Sequence, residues 1–144
     1  MAFDAAQTDQ LSQVIAHATA PSFLLGAVSG FVAVLMGRMN GIIDRIRTLN
    51  AIADGDQARS YLKADLPRLK RRAKLMNDAI YLAVGSAICT TLLVILAFAT
   101  ALLGSRHEPG AAVMFILALG LMGAALVTLA REVRIALTDY DHYG

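Results

Sequence analysis

The chain has 144 residues, of which 57% are hydrophobic and 17% are charged, and its formal net charge is +2. This length predicts one domain, and the hydrophobic share exceeds the roughly 45–50% typical of soluble proteins, which argues against a soluble globular fold. The single cysteine, Cys89, excludes an internal disulfide, and we expect it to be a buried, inert thiol.

Residues 1–20 precede the first long apolar stretch and have the pattern of a short amphipathic helix outside the membrane. Leu11, Val14 and Ile15 would share its apolar face. The segment contains neither Lys nor Arg, so it lacks the basic start of a secretory signal. Pro21 leaves two interpretations open. We prefer that it opens the first membrane helix; the alternative is that it kinks a longer helix that starts near Leu11.

Three stretches contain no Asp, Glu, Lys, Arg or His: residues 18–37, 79–105 and 109–130. A bilayer core about 30 Å thick requires roughly 20 apolar residues in a helix, and each stretch is long enough. Lipid offers the backbone no hydrogen-bond partners, and the alternation of a β-barrel is absent, so all three are predicted to be helices. The expected fold is an all-α membrane protein with one domain, divided into an outer segment (1–20), a first span (21–37), a cytoplasmic segment (38–78), a second span (79–104), a third span (111–130) and a cytoplasmic tail (131–144).

Basic residues predict the orientation of these spans. Of the 13 Lys and Arg residues, only Arg106 lies in the loop between the second and third spans. The other twelve lie between the first two spans or after the third. The positive-inside rule then places residues 38–78 and the C-terminus in the cytoplasm, and the N-terminus on the opposite side.

The cytoplasmic segment has the pattern of two helices that pair in an antiparallel hairpin. Apolar residues recur at spacings of four and three on both arms, as in the seam of a coiled coil. These residues are Ile42, Ile46, Leu49 and Ala53 on the first arm, and Leu62, Leu66, Leu69, Ala73, Met76 and Ile80 on the second. The sequence Asp54-Gly55-Asp56 predicts the turn between the arms. Pro67 should kink or break the second arm near Leu66.

Small residues on one face of the first span predict a surface for helix packing. Such residues let a second helix backbone approach closely, which favours association in lipid. This glycine ladder consists of Gly26, Gly30, Ala33, Gly37 and Gly41, and the third span has a weaker counterpart in Gly120, Gly123 and Ala124. The partner of the ladder is either another span of the same chain, which we favour, or a second subunit.

A basic cluster at the cytoplasmic edge of the second span has five cations in seven positions: Arg68, Lys70, Arg71, Arg72 and Lys74. Attraction to anionic lipid headgroups amounts to about 1 kcal/mol per basic residue near the surface, so the cluster is a candidate lipid anchor. The alternative is that it acts only as a topology signal. Tyr61 is the only aromatic neighbour, and nucleic acid is therefore not an expected partner.

Charges of both signs also lie where the spans meet the cytoplasm: Arg38, Asp44, Arg45, Asp78, Arg131, Glu132 and Arg134. We interpret this inner-edge cluster as structural ion pairs, and the alternative is a gate or an ion site. Catalytic motifs are absent from the sequence, and His17, His107 and His142 fall on both sides of the predicted membrane. Neither enzymatic activity nor a metal or other cofactor is expected.

Four segments carry a resemblance to a known family: APSFLL at 20–25, RMNGIIDR at 38–45, RRAKLMNDAI at 71–80 and REVRIAL at 131–137. They resemble a family of small bacterial membrane proteins catalogued as a domain of unknown function (number twenty-seven twenty-one). The resemblance implies a bacterial inner-membrane protein with three spans. It implies no activity, cofactor or catalytic residue.

Three classes of function follow from these patterns. The favoured one is a non-enzymatic interaction protein, either a homo-oligomer or an accessory or scaffolding subunit of a larger membrane complex, with anionic lipids as further partners. The alternative is an oligomeric ion channel or transporter with a pore lined by small residues and hydroxyls, for which the candidates are Ser29, Ser86, Thr90, Thr91 and Thr100. A membrane enzyme is the least favoured class, because no acid, base and nucleophile converge on one side of the membrane.

Overall fold

The computed structural model of the protein describes residues 2–103 and 108–138. These residues form three long helices, α1 (Ala2–Asn50), α2 (Leu66–Leu103) and α3 (Glu108–Thr138), and a short 3-10 helix (Ser60–Asp65) that precedes α2. No β-strand occurs within the described ranges. The predicted all-α class is confirmed.

All three long helices contain stretches that are long and apolar enough to cross a membrane: Ser12–Asn50, Ser60–Thr100 (together with the 3-10 helix) and Pro109–Thr138. At most 22% of the most apolar window of each is buried inside the chain. Most of the apolar surface therefore faces outward, where water would be an unfavourable neighbour. These helices indicate an integral, multi-pass membrane protein.

Helix α1 continues through Pro21, which corrects the prediction of a separate outer helix that ends before the first span. The alternative of a single longer helix is the correct one, although this helix begins at Ala2 and not near Leu11. A proline inside a helix removes one backbone hydrogen bond. Breaking the helix would leave several backbone groups without partners, which is worse where lipid replaces water.

Residues 51–65 connect α1 to α2 and are held by two exposed ion pairs. Lys63 Nζ donates to Asp54 Oδ1 at 2.6 Å, and Arg59 Nε donates to Asp56 Oδ2 at 2.8 Å. The hydrogen bond from Lys63, and the charge of its ammonium, hold the pKa of the Asp54 carboxyl below its ordinary value.

Pro67 lies in the first turn of α2, directly after the 3-10 helix, so the second arm is divided near Leu66, as the break predicted from this proline requires. The amide hydrogen that proline lacks would have no partner within the first helical turn, so this position tolerates proline well. The 3-10 helix takes the place of the predicted start of that arm.

The chain divides into two compact units, each of which contains parts of all three long helices. We call residues 1–30 and 83–122 the apolar unit, and residues 31–82 and 123–144 the charged unit. Twelve of the 13 Lys and Arg residues belong to the charged unit.

Buried residues recur at intervals of seven along each long helix. On α1 they are Val28, Leu35, Ile42 and Leu49, and on α3 they are Ala118, Ala125 and Glu132. Helix α2 has two such sets: Leu69, Met76, Ala83 and Thr90, and beside it Ala79, Ser86 and Leu93. Seven residues are close to two helical turns, so each set forms one stripe. Four residues of the predicted hairpin seam, Ile42, Leu49, Leu69 and Met76, are buried, whereas Ala53 lies beyond the end of α1 and is exposed.

Candidate functional site

A buried carboxylate, Glu132 on α3, lies between two arginines in the charged unit. Arg38 Nη2, from α1, donates to Glu132 Oε2 at 2.6 Å. Arg72, from α2, reaches Glu132 Oε1 from Nε at 2.9 Å and from Nη2 at 2.8 Å. We call these residues the Glu132 triad; through it, one carboxylate joins the three long helices of this unit.

Each member of the triad belongs to, or lies beside, a stripe of buried residues. Glu132 follows Ala125 by seven residues and continues the buried stripe of α3. Arg38 follows the buried Leu35 by three residues, and Arg72 follows the buried Leu69 by three. Residues three apart share one helix face, so both guanidinium groups reach the interior from the edge of a packed surface.

Two guanidinium groups share the carboxylate of Glu132, and the three side chains differ in their exposure. The Glu132 side chain is 0% exposed, whereas those of Arg38 and Arg72 are 38% and 19% exposed. The Nε atom of Arg38 is buried and has no hydrogen-bond partner. The arginine on α1 is therefore the incompletely satisfied member.

The structure brings together only part of the predicted inner-edge cluster. Arg38 and Glu132 meet, but Asp44 forms an exposed pair with Arg47, whose atoms are 3.6 Å apart. The other members of the predicted cluster are exposed: Arg45, Asp78, Arg131 and Arg134. The cluster as grouped from the sequence was thus too broad.

The sequence places Arg72 in the basic cluster as a candidate lipid contact, but its guanidinium binds Glu132, which corrects that prediction. The spacing of Leu69, Arg72 and Met76 follows the apolar seam, and this signal could have identified Arg72 as an inward residue. Lys70, Arg71 and Lys74 are exposed, and Arg68 is half-buried.

The glycine ladder faces away from the rest of the described chain. A Cβ atom added at Gly26, Gly30, Gly37 or Gly41 would meet no neighbouring atom within 4 Å, and Ala33 is exposed. Two residues correspond to a rotation of about 200°, so Gly26 and Gly30 lie opposite the buried Val28. The expectation that this ladder packs against another span of the same chain is therefore wrong for the described residues.

The weaker small-residue face of α3 is also directed outward. A Cβ atom added at Gly120 or Gly123 would meet nothing within 4 Å, and Ala124 is exposed. Within one chain, neither small-residue face is covered by the described residues.

The hydroxyl groups considered for a pore do not share one surface. Ser86 Oγ donates to the carbonyl oxygen of Ala118 at 2.7 Å and Thr90 Oγ1 to that of Ser86 at 2.8 Å, and both side chains are buried in the apolar unit. Ser29 and Thr91 are exposed and donate to carbonyls of their own helices. A pore between subunits could not be lined by Ser86 or Thr90 in this arrangement.

Metal chemistry has no evident site in the part of the chain that the structure describes, where no three His, Cys, Asp or Glu side chains are grouped. His17 is exposed, and its ring Nδ1 lies 2.7 Å from the carbonyl oxygen of Gln13. Arg106, His107 and His142 lie outside the described residues. Cys89 is half-buried and free.

A family model matches residues 18–142, which is most of the chain, and its description is "Protein of unknown function (DUF2721)". No curated protein and no solved structure matches the chain.

Proposed function

Because the chain belongs to the DUF2721 family, whose function is unknown, we propose a function from its own geometry. The protein is a non-enzymatic membrane protein that works through helix packing, as a homo-oligomer or as an accessory or scaffolding subunit of a larger membrane complex. The observation that carries this proposal is the outward direction of the glycine ladder on α1.

If the glycine ladder contacted only lipid, nothing would offset the low helix propensity of its glycines. Glycine destabilises a helix by roughly 0.8–1 kcal/mol relative to alanine, so four exposed glycines on one face need compensation. Close contact with a second helix provides it, since backbones can approach where side chains are missing. The larger exposed side chains of Val34 and Met36 flank the ladder and would border such a contact.

The proposed location is a bacterial inner membrane, with the N-terminus outside and the connection between α1 and α2 in the cytoplasm. In this arrangement that connection and the adjoining helix ends form the antiparallel hairpin. The charge distribution supports this orientation, because twelve of the 13 basic residues would lie on the cytoplasmic side. Anionic lipid headgroups are proposed partners of the exposed Lys70, Arg71 and Lys74.

Cysteine labelling tests the orientation. After Cys89 is replaced by alanine, single cysteines at Gly55 and Gly110 should react with a membrane-impermeant reagent from opposite sides of the membrane. Both positions are exposed, so neither should be protected by packing within the chain. Reaction of both cysteines from the same side would contradict the proposed topology.

The packing proposal is tested by Gly30→Leu, which places a bulky side chain on the ladder. Overpacking of a helix contact typically costs about 1–3 kcal/mol, so the variant should dissociate into smaller species or lose its larger complex. Ala99→Leu is the matched control, because Ala99 is also an exposed small residue but lies on α2 and not on the helix that carries the ladder.

Particle mass in mild detergent, measured by light scattering, separates the outcomes. A reduced mass for Gly30→Leu and an unchanged mass for Ala99→Leu support the proposal. Equal masses for both variants and the wild type would show that the ladder faces lipid. A closed ring of about four or more subunits would instead favour the channel alternative.

A further inference from the structure

We propose that Lys74, Asp78 and Tyr81 on α2 form a binding site for a phospholipid whose headgroup carries a phosphate and a primary ammonium group, as in phosphatidylethanolamine. We call these three residues the headgroup face. Lys74 and Tyr81 would donate to the phosphate, and Asp78 would accept from the ammonium group. The inference rests on the membrane location proposed above and goes beyond the contact with anionic lipids, which requires cations alone.

The residues of the headgroup face lie on one side of α2 and are accessible from outside the chain. Asp78 follows Lys74 by four residues and Tyr81 follows Asp78 by three, a spacing that places side chains on one face of a helix. All three are exposed, Tyr81 to 70%. They also belong to the same compact unit. A single ligand molecule could therefore reach all three side chains.

The headgroup face lies at the depth expected for the lipid phosphates. Asp78 is the last charged residue before the uncharged stretch 79–105, and Tyr81 is the third residue of that stretch. Phosphates lie where the hydrocarbon core ends, and tyrosine is enriched at this boundary because its ring is apolar and its hydroxyl group is polar. The surface is thus placed to meet a lipid headgroup.

The two opposite charges of the headgroup face do not pair with each other. Lys74 and Asp78 are four residues apart, yet neither forms an ion pair with any residue that the structure describes. A lysine that precedes an acid is the less favourable order for such a pair in a helix. An exposed cation beside an exposed carboxylate complements a headgroup that has both charges, so that the phosphate meets Lys74 and the ammonium group meets Asp78.

The hydroxyl group of Tyr81 also lacks a partner within the described ranges. A hydroxyl group without a hydrogen bond is costly where lipid replaces water. Long side chains of a helix lean toward the preceding turn, which here carries Asn77 and Asp78. The hydroxyl group would thus reach the phosphate of a headgroup that Lys74 and Asp78 bind.

Asp78 distinguishes between headgroups of equal charge. An ionised carboxylate only accepts hydrogen bonds, and a primary ammonium group offers it three N–H donors. The methylated ammonium group of phosphatidylcholine carries the same charge but has no N–H donor. We therefore expect a preference for phosphatidylethanolamine over phosphatidylcholine. General attraction to a basic surface cannot produce this preference, because neither lipid has a net charge.

Quenching of tryptophan fluorescence by brominated lipids measures this preference. The chain contains no tryptophan, so Ile88→Trp introduces a single reporter. Ile88 is exposed and follows Tyr81 by seven residues, close to two helical turns, so the reporter lies on the same side of α2 as the headgroup face. The full-length protein is placed in vesicles of unbrominated phosphatidylcholine, to which brominated phosphatidylethanolamine or brominated phosphatidylcholine is added.

In this assay phosphatidylethanolamine should bind about two- to fivefold more tightly than phosphatidylcholine, the scale of one exposed charged interaction. Asp78→Asn should reduce this ratio to about one, because the charge-assisted hydrogen bond to the ammonium group is lost. Asp44→Asn is the matched control and should leave the ratio unchanged, since Asp44 is also an exposed acid but lies on α1.

Lipids with one or two N-methyl groups on the ammonium provide a second measurement, which needs no further substitution in the protein. The preference over phosphatidylcholine should fall with each methyl group, because N–H donors are lost. A stepwise fall, together with the loss of preference in Asp78→Asn, supports the site. Equal binding of phosphatidylethanolamine and phosphatidylcholine, or equal effects of Asp78→Asn and Asp44→Asn, would overturn it.

Brominated phosphatidylglycerol, measured in parallel, separates this proposal from the anionic contact of Lys70, Arg71 and Lys74. If phosphatidylglycerol binds more tightly than phosphatidylcholine but phosphatidylethanolamine does not, the anionic contact stands and the headgroup face is overturned. If only phosphatidylethanolamine is preferred, the reverse holds. The result depends neither on which side of the membrane faces the cytoplasm nor on the particle mass in detergent.

Discussion

In each of the two units a buried polar contact joins α2 to α3, and these two contacts differ in kind. In the apolar unit, the neutral hydroxyl of Ser86 donates to a backbone carbonyl on α3. In the charged unit, Arg72 binds the buried carboxylate of Glu132, which also holds Arg38 of α1. The first contact involves two helices and no charge, whereas the second involves three helices and three charges.

The difference follows from what each contact would leave behind when it breaks. A serine separated from its acceptor can donate to a carbonyl of its own helix, so little is lost. A buried carboxylate separated from its cations has no such local alternative and would carry a large desolvation penalty. The ionic contact at Glu132 is therefore more costly to break than the Ser86 hydrogen bond, and it restricts the positions of its three helices more strictly.

Of the substitutions considered, Glu132→Gln should lower the stability of the fold most. Removing one partner from a buried ion pair costs about 3–5 kcal/mol, and we expect a value at the lower end because both arginines remain partly exposed. The thermal midpoint in detergent should fall clearly. The triple variant Arg38→Met, Arg72→Met, Glu132→Leu is the control and should recover much of the loss, because it removes the three charges of the triad together. A stable Glu132→Gln variant would mean that the carboxylate is not ionised or not buried.

A smaller effect is expected from Ser86→Ala in the apolar unit. Hydrogen bonds between membrane helices contribute about 0.6 kcal/mol on average and about 1.7 kcal/mol at most. The control is Thr91→Ala, since the exposed Thr91 hydroxyl donates only within its own helix. The thermal midpoint should be lowest for Glu132→Gln and higher for Ser86→Ala. For Thr91→Ala it should be slightly higher again. A larger loss for Ser86→Ala than for Glu132→Gln would reverse the comparison between the two units.

The smallest effect concerns the exposed pair of Asp54 and Lys63 in the charged unit, and it depends on pH. The folded protein lowers the pKa of Asp54 below 3.8, so the pair stabilises the fold fully above that value. The contribution disappears as the pH falls through the lowered pKa. Wild type and Asp54→Asn should therefore differ slightly in thermal midpoint near neutral pH and converge in acid.

Lys63→Gln is the matched control for this pair. It should reproduce the small loss seen in Asp54→Asn, and the double variant should lose no more than either single one. If the difference in thermal midpoint between wild type and Asp54→Asn grew as the pH fell, the Asp54 carboxylate would not be stabilised in its charged form.

The sequence by itself determined the all-helical membrane character of the protein, because uncharged stretches of about 20 or more residues leave the backbone no alternative to helices in lipid. It also grouped the ladder residues on one face of α1, since their spacing fixes them to that face whatever surrounds it. Family membership was likewise recognisable from four short segments. These features depend on local periodicity and composition.

Only the tertiary structure decided which residues meet. Arg38 and Glu132 are 94 positions apart, and Arg72 stands among four other cations that look equivalent in sequence. The spacing of the ladder could not tell whether it faces the other helices of the chain or the outside, because that depends on where those helices lie. Pro21 was misjudged for a similar reason: whether a helix continues through a proline depends on what else could satisfy its backbone, and in lipid that is the helix itself.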